Sequence, residues 1–230
     1  MRVGIDLGSR SVKIVTFEKN HIMDSMIMDT AKFYRNYCDN VEGNLAVDFS
    51  KLGIGSFDEI VSTGYGRNNI NIENSQKIVE LKAHIYGAMW QTDKRDFVLL
   101  DVGGQDSKII LVREGKIRDI ILNDKCAASC GRYLENMALV LGMELCDMVK
   151  YSKNPIELNS TCAVFSESEL IGKISEGVNL EELAAGVNYS LYKRIKPKLV
   201  SFKEDTLIVT GGVAKNIAFV EFIKADNLYK

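Results

Sequence analysis

The sequence has little proline, little histidine and no run of apolar residues long enough to cross a membrane. Only Pro155 and Pro197 interrupt the 230 residues, and no Gly- or Ser-rich linker separates one part from another. A membrane-spanning helix needs about 20 predominantly apolar residues, so we expect no membrane partner. The 29 basic and 31 acidic residues nearly balance, which gives no electrostatic reason to expect nucleic acid as a partner.

Three further signatures are missing. The five cysteines are irregularly spaced, which argues against a disulfide framework. The N-terminus enters a strand-like pattern at once, without the apolar segment of a secretory signal, so we expect a cytoplasmic protein. Neither G-x-x-x-x-G-K-[ST] nor a G-x-G-x-x-G after a strand occurs. A P-loop is therefore excluded, and a dinucleotide-binding fold loses its main support.

What is present is the composition of a globular protein, with 46% apolar and 26% charged residues. Apolar periodicity predicts the strands Val3–Leu7, Val12–Glu18, Glu59–Thr63, Phe97–Val102, Lys108–Arg113, Ile117–Leu122 and Leu207–Thr210. It predicts the helices Asn74–Gln91, Gly131–Leu141, Glu167–Ser175 and Leu180–Phe202. Ser166 with Glu169, and Asn179 with Glu182, resemble the capping boxes that begin helices. Hairpins and crossovers together indicate an α/β protein.

A short internal repeat relates two parts of the chain. Asp6-Leu-Gly-Ser-Arg-Ser-Val-Lys13-Ile and Asp101-Val-Gly-Gly-Gln-Asp-Ser-Lys108-Ile share Asp, Gly, Lys and Ile at equal offsets. Each copy joins two strand-like runs through a turn that contains glycine. We therefore predict a duplicated fold with two lobes, residues 1–95 and 96–230, and a nucleotide cleft between them.

Both hairpins have the residue types of a phosphate site. Glycine lets backbone N–H groups approach phosphate closely, and a neighbouring Asp can hold a hydrated Mg²⁺. A third segment, Leu207–Asn216, runs from an apolar strand into a glycine pair against which a flat base would lie. The predicted ligands of ATP or ADP and Mg²⁺ are Asp6, Gly8, Ser9, Lys13, Asp101, Gly103, Gly104, Gly211, Gly212 and Asn216. Read alone, one Asp-x-Gly hairpin is more typical of a tight turn than of a site, and it is the occurrence of two copies that brings the phosphate site level with that reading. The glycine pair after Leu207 is by itself equally compatible with a packed turn between a strand and a helix.

Cys126 and Cys162 stand shortly before predicted helices. The positive end of a helix dipole lowers the pKa of a thiol and favours an anionic set of ligands. A cubane iron–sulfur cluster commonly uses four cysteines, which two cysteines from each subunit of a twofold dimer would supply. A cluster within one subunit, or a purely structural role for each cysteine, is the alternative. The cysteines of the one-subunit arrangement would be Cys126, Cys130, Cys146 and Cys162.

Six segments together resemble the ATP-dependent activators of 2-hydroxyacyl-CoA dehydratases, grouped as the BadF/BadG/BcrA/BcrD ATPases. They are Gly4-Ile-Asp-Leu-Gly-Ser, Thr63-Gly-Tyr-Gly-Arg67, Asp101–Lys108, Asn123-Asp-Lys-Cys-Ala-Ala with Gly131-Arg-Tyr-Leu, Ser160–Glu169 and Thr210–Asn216. The resemblance implies the two-lobed fold shared by actin, the Hsp70 chaperones and the sugar kinases. The sequence departs from the family at Ser129 and Cys130, where Gly-Thr is usual.

The resemblance also implies an activity, its cofactors and its partners. It implies a homodimer with one [4Fe-4S] cluster on Cys126 and Cys162 of each subunit, and one ATP with Mg²⁺ per subunit. ATP hydrolysis then drives single electrons to a CoA-ester dehydratase or reductase, or to a double-cubane reductase, in anaerobic metabolism. By the same match Gln105 orients the attacking water and Asp101 is the second catalytic residue.

Two other functions fit parts of the sequence. A small-molecule kinase of the same fold, for an amino sugar or an acyl group, would need a carboxylate base such as Asp106 or Glu167 and would bind no iron. A non-catalytic nucleotide-sensing or scaffold protein would bind ATP without turnover. The two cysteine segments favour the activator, because a kinase has no need of them.

Overall fold

The computed structural model describes residues 1–123, 126–202, 204–226 and 229. The chain divides into two units, Met1–Tyr86 and Gly87–Lys230, and each has its own apolar core. Among the residues described, no helix is both long and apolar enough to cross a membrane.

The first unit is built on two sheets. Its strands are β1 (Arg2–Leu7), β2 (Ser11–Glu18), β3 (His21–Asp29), β4 (Cys38–Val41), β5 (Asn44–Val47), β6 (Glu59–Thr63), β7 (Ile70–Asn71) and β8 (Gln76–Lys77), and its helix α1 is Thr30–Tyr37. The larger sheet has the order β3-β2-β1-β6-β8 and the smaller one β4-β5-β7. Val3, Ile5 and Leu7 of β1 are buried on one face, as alternation along a half-covered strand requires.

Helix α2 (Glu80–Thr92) contains the division between the units. It begins later than the predicted start at Asn74, and this part of the prediction is wrong. Gln76 and Lys77 are extended instead and pair in parallel with β6. Two residues of strand give too little periodicity to be told from the start of a helix.

The described residues of the second unit form one sheet, five α-helices and the end of α2. The strands are β9 (Phe97–Val102), β10 (Ser107–Arg113), β11 (Lys116–Asn123) and β12 (Leu207–Thr210). The helices are α3 (Gly131–Leu141), α4 (Leu145–Met148), α5 (Ala163–Ser175), α6 (Leu180–Val200) and α7 (Ile217–Ala225). The sheet order is β11-β10-β9-β12. Every residue of β9 is buried, as expected of a continuous apolar run at the centre of a covered sheet.

The starts of α5 and α6 test the two predicted capping boxes. Cys162 is the N-cap of α5, so the capping box predicted at Ser166 is wrong. Ser166 lies one turn inside the helix, where its hydroxyl donates to the Cys162 carbonyl over 2.9 Å. Asn179 caps α6 as predicted, and its side chain accepts the N–H of Glu181 over 2.7 Å.

The two larger sheets repeat one arrangement of strands, which confirms the predicted duplication. β1 is antiparallel to β2 and parallel to β6, and β9 is antiparallel to β10 and parallel to β12. The registers also correspond. The opposed residues are Asp6 with Lys13 and Thr63 in the first unit, and Asp101 with Lys108 and Thr210 in the second.

Candidate functional site

The turn between β1 and β2 carries Asp6, Gly8, Ser9 and Lys13. The Lys13 ammonium donates to Asp6 Oδ2 over 2.7 Å, while Asp6 Oδ1 is buried and no described residue bonds it. A Cβ at Gly8 would lie 2.6 Å from the Ser11 carbonyl oxygen, so only glycine fits this turn. Ser9 is exposed. The turn therefore combines close-packed backbone with a carboxylate that retains an unused oxygen.

The turn between β9 and β10 begins from a buried carboxylate. Asp101 is 2% exposed, and its Oδ1 accepts from the Thr210 hydroxyl over 3.1 Å. Lys108 Nζ lies 3.4 Å from Asp101 Oδ2 and 2.7 Å from Asp106 Oδ2. A buried carboxylate needs such a cation to offset its desolvation. Gln105, by contrast, is exposed at the turn.

Backbone hydrogen bonds join this turn to the start of α3. Gly131 N–H donates to the Gly103 carbonyl over 2.8 Å, and Arg132 N–H donates to the Gly104 carbonyl over 2.9 Å. The first N–H groups of a helix lack partners within the helix, and the side chain of the N-cap, Cys130, supplies none here. The turn that contains Gly103 and Gly104 therefore caps α3.

A Thr-Gly turn follows the parallel strand in each unit. Gly64 and Gly211 have φ of +88° and +84°, a region that glycine enters without strain. A Cβ would lie 2.4 Å from Asp6 Oδ1 at Gly64 and 2.3 Å from the Val102 carbonyl oxygen at Gly211. From the sequence, Thr63 and Gly64 were named only as part of a family segment and were not placed in the site. In both places an apolar strand ends in Thr-Gly, and this shared pattern could have identified Thr63 and Gly64 as the counterparts of Thr210 and Gly211.

The residues after Gly211 differ in their access to solvent. Gly212 is exposed, and a Cβ there would meet nothing within 4 Å. Asn216 is 2% exposed: its Oδ1 accepts the Phe219 N–H over 2.9 Å and its Nδ2 donates to Asn188 Oδ1 over 2.9 Å. Asn216 is therefore the N-cap of α7.

The five cysteines fall into exposed and buried classes. Cys126, Cys146 and Cys162 are exposed, whereas Cys38 and Cys130 are buried. The Cys130 thiol donates to the Ala127 carbonyl over 3.1 Å, and burial raises its pKa. Cys130 is thus buried, in agreement with the purely structural role that was one of the alternatives predicted for each cysteine.

Two of the three exposed cysteines occupy N-cap positions. Cys126 is the N-cap of a 3-10 turn, Ala127–Ser129, that leads into α3, and Cys162 is the N-cap of α5. Neither side chain makes a capping hydrogen bond. Asp124 and Lys125 of the Cys126 segment lie outside the described residues.

The backbone just before Cys162 is anchored to α5 by Glu169. The N–H groups of Asn159 and Ser160 donate to the Glu169 carboxylate over 2.8 and 2.9 Å. Burial alone would raise the pKa of Glu169, but these N–H groups lower it below its ordinary value. Glu167, a candidate base for a kinase, is exposed on the same helix.

Comparison with known proteins places this geometry in context. The sequence matches the BadF/BadG/BcrA/BcrD ATPase family over residues 3–228. It is 34% identical over 232 residues to the activator of lactoyl-CoA dehydratase of Anaerotignum propionicum, covering 96% of this chain and 86% of the relative.

Solved structures agree with the sequence match. The activator of the 2-hydroxyisocaproyl-CoA dehydratase from Clostridium difficile, with bound ADPNP, has a TM-score of 0.84 at 27% identity, covering 100% of this chain and 86% of that one. A putative 2-dehydro-3-deoxygalactonokinase from Sinorhizobium meliloti has a TM-score of 0.55 at 12% identity, covering 99% of this chain and 89% of that one. The second likeness concerns the fold alone. Together the matches confirm the predicted resemblance, the ATPase class and the actin-like and sugar-kinase-like fold.

Proposed function

The chain belongs to the BadF/BadG/BcrA/BcrD ATPase family, and from this membership we propose that it is an ATP-hydrolysing iron–sulfur protein that activates another enzyme. It donates single electrons to a CoA-ester dehydratase or reductase, or to a double-cubane reductase. Similarity to a dehydratase activator over 96% of the chain supports this function. A small-molecule kinase is less supported, because the likeness to a kinase extends to the fold only.

The observation that carries the proposal is the presence of two exposed thiols at two helix starts. Cys126 and Cys162 are exposed and make no capping bond. Cysteine thiolates are the ligands of cubane clusters. The donor set of one chain therefore fits half of a [4Fe-4S] cluster, which Cys126 and Cys162 of two copies would hold. When bound, the cluster supplies a one-electron couple.

A second copy of the chain is the partner we propose at these cysteines. Val164 and Phe165 directly follow Cys162, and each is 69% exposed. Clustered apolar side chains on a surface mark sites of interaction. A homodimer formed here would cover both side chains and bring four cysteines to one place.

We propose that the glycine-containing turns supply ligands for ATP and Mg²⁺ from among the residues predicted from the sequence. The buried Asn216 side chain, already bonded to Phe219 and Asn188, is not one of them. Asp6 supports this role because one of its oxygens has no partner among the described residues, and a carboxylate beside phosphate can hold a hydrated Mg²⁺. Gln105 is exposed, and its amide can donate to one water and accept from it, as the orientation of an attacking water requires. Asp101 is held in one position by Thr210 and Lys108.

The cap that Gly103 and Gly104 form on α3 supports a route from the nucleotide to the cysteines. A displacement of this turn displaces the start of α3, because two backbone hydrogen bonds join them. Cys126 lies shortly before that start. Hydrogen bonding and solvent exposure around a cluster set its reduction potential, so we propose that the nucleotide state changes that potential.

Anaerobic native mass spectrometry of the protein reconstituted with iron and sulfide tests this function. We expect one [4Fe-4S] cluster per two chains in the wild type and no cluster in Cys126→Ser or Cys162→Ser. Cys146→Ser is the matched control, because the Cys146 side chain is also exposed but lies in α4. A cluster in the monomer, or full iron content in Cys162→Ser, would overturn the proposal.

A further inference from the structure

Arg194 of α6 contacts the segment that precedes α5. Its Nη2 donates to the Ser160 carbonyl over 2.6 Å and to the Ser166 hydroxyl over 3.2 Å. Its Nη1 donates to the Ser190 hydroxyl over 2.6 Å. The side chain is partly buried, and no carboxylate of the described residues lies within ion-pair distance of it. All the oxygens that this guanidinium bonds are neutral, so no described carboxylate neutralises its positive charge.

The same guanidinium also packs against a side chain of α3. Its central carbon is 4.6 Å from the centre of the Tyr133 ring, which is within the range of a cation–π contact. Tyr133 is fully buried in the first turn of α3. Arg194 thus contacts the first turn of the helix that follows Cys126 and the backbone that leads to Cys162.

The backbone before Cys162 is fixed from two sides. On one side the Glu169 carboxylate accepts the N–H groups of Asn159 and Ser160. On the other side Arg194 donates to the Ser160 carbonyl, and the Ser166 hydroxyl reaches the same oxygen over 3.3 Å. Arg194 is the member of this arrangement that also reaches α3.

We propose that Arg194 is a positioning residue that sets Cys162 relative to the start of α3, and that its unpaired charge favours the reduced state of the group held by Cys126 and Cys162. The charge argument rests on the proposed function, and the positioning argument does not. Lysine would keep the charge but not the planar fork and the stacking on Tyr133. Glutamine would lose the charge as well. The two substitutions therefore separate the two parts of the role.

The positioning part is tested in the cluster-free protein by amide hydrogen exchange. In Arg194→Gln and Arg194→Lys, we expect the amides of residues 159–166 to exchange at least tenfold faster, while those of β9 stay unchanged. Lys198→Met is the matched control, because it removes a positive charge from the same helix. Ser166→Ala, which removes a single buried hydroxyl, should act in the same direction by about threefold. Unchanged exchange in residues 159–166 of these variants would overturn the positioning role.

The charge part is tested by an anaerobic potentiometric titration of the reconstituted dimer, followed by EPR. In Arg194→Gln, we expect the ratio of reduced to oxidised cluster at a fixed potential to fall about tenfold, which is 59 mV for one electron. Arg194→Lys should stay close to the wild type. Equal potentials in wild type and Arg194→Gln would overturn this part. A wild type that binds no iron would instead refute the proposed function and leave the exchange result as the test of positioning.

Discussion

Gly131, the first residue of α3, donates its backbone N–H to the Gly103 carbonyl oxygen over 2.8 Å. A Cβ at Gly131 would lie 3.1 Å from this oxygen and 3.3 Å from the Gly104 Cα. Both distances are shorter than ordinary van der Waals contact, and both atoms belong to the backbone. A side chain at residue 131 must therefore push the turn away from α3.

We expect Gly131→Ala to lower the free energy of unfolding by about 1–3 kcal/mol, measured by urea denaturation. We also expect the rate of ATP hydrolysis to fall at least about tenfold, since Gln105 would be displaced with the turn. Gly172→Ala in α5 is the control, because a Cβ there meets nothing within 4 Å. Full ATPase activity in Gly131→Ala would show that the turn and α3 are not tightly joined.

The glycine pair after β12 allows a comparison of two neighbouring residues. Gly211→Ala places a Cβ 2.3 Å from the Val102 carbonyl oxygen at a φ of +84°, so we expect a loss of about 3 kcal/mol or more in unfolding free energy. Gly212→Ala has open space and should change it by less than about 0.5 kcal/mol. Chemical denaturation of both variants provides the measurement. Equal losses would contradict the packing described for Gly211.

Glu169 gives a prediction about pH. Its pKa is lowered in the folded protein, so its bonds to Asn159 and Ser160 stabilise the fold above the pKa of the unfolded state, about 4.3. This stabilisation is lost as the pH falls through the folded value. Glu169→Gln should be less stable than the wild type by about 1 kcal/mol at pH 7, and the difference should shrink below about pH 4.

Unfolding curves of the two proteins at pH 7 and pH 3.5 provide the measurement. Glu167→Gln serves as the control, because Glu167 is exposed on the same helix and should show no pH-dependent difference. A gap between Glu169→Gln and wild type that persists unchanged at the lower pH would mean that the carboxylate charge is not what anchors residues 159 and 160.

Strands with several apolar residues could be predicted from the sequence, including the edge strands β11 and β12, whereas β3 and α1 could not. β9 is an apolar run buried along its whole length, and such runs are distinct in any sequence. β3 (His21–Asp29) is mostly exposed at the sheet edge, so its residues carry no alternation of apolar and polar side chains. α1 buries only Phe33, which is too few apolar positions to define a helical period.

The same limit applies to the candidate site. Glycines at turns could be predicted, because backbone that approaches closely requires them. Burial could not be predicted, because it depends on tertiary packing. The sequence alone does not distinguish the buried Cys130 from the exposed Cys126. The interior position of Asn216, between Asn188 and α7, is likewise set by α6, which is distant in the sequence.

In an ATP-gated electron donor, nucleotide binding must change the surroundings of the cluster held by the cysteines. The most direct test is the EPR spectrum of the reconstituted, dithionite-reduced dimer, recorded anaerobically with ADP and with a non-hydrolysable ATP analogue. We expect the cluster signal to differ between the two nucleotides, because the turn at Gly103 and Gly104 is bonded to α3. Identical spectra at saturating concentrations of both nucleotides would contradict this coupling.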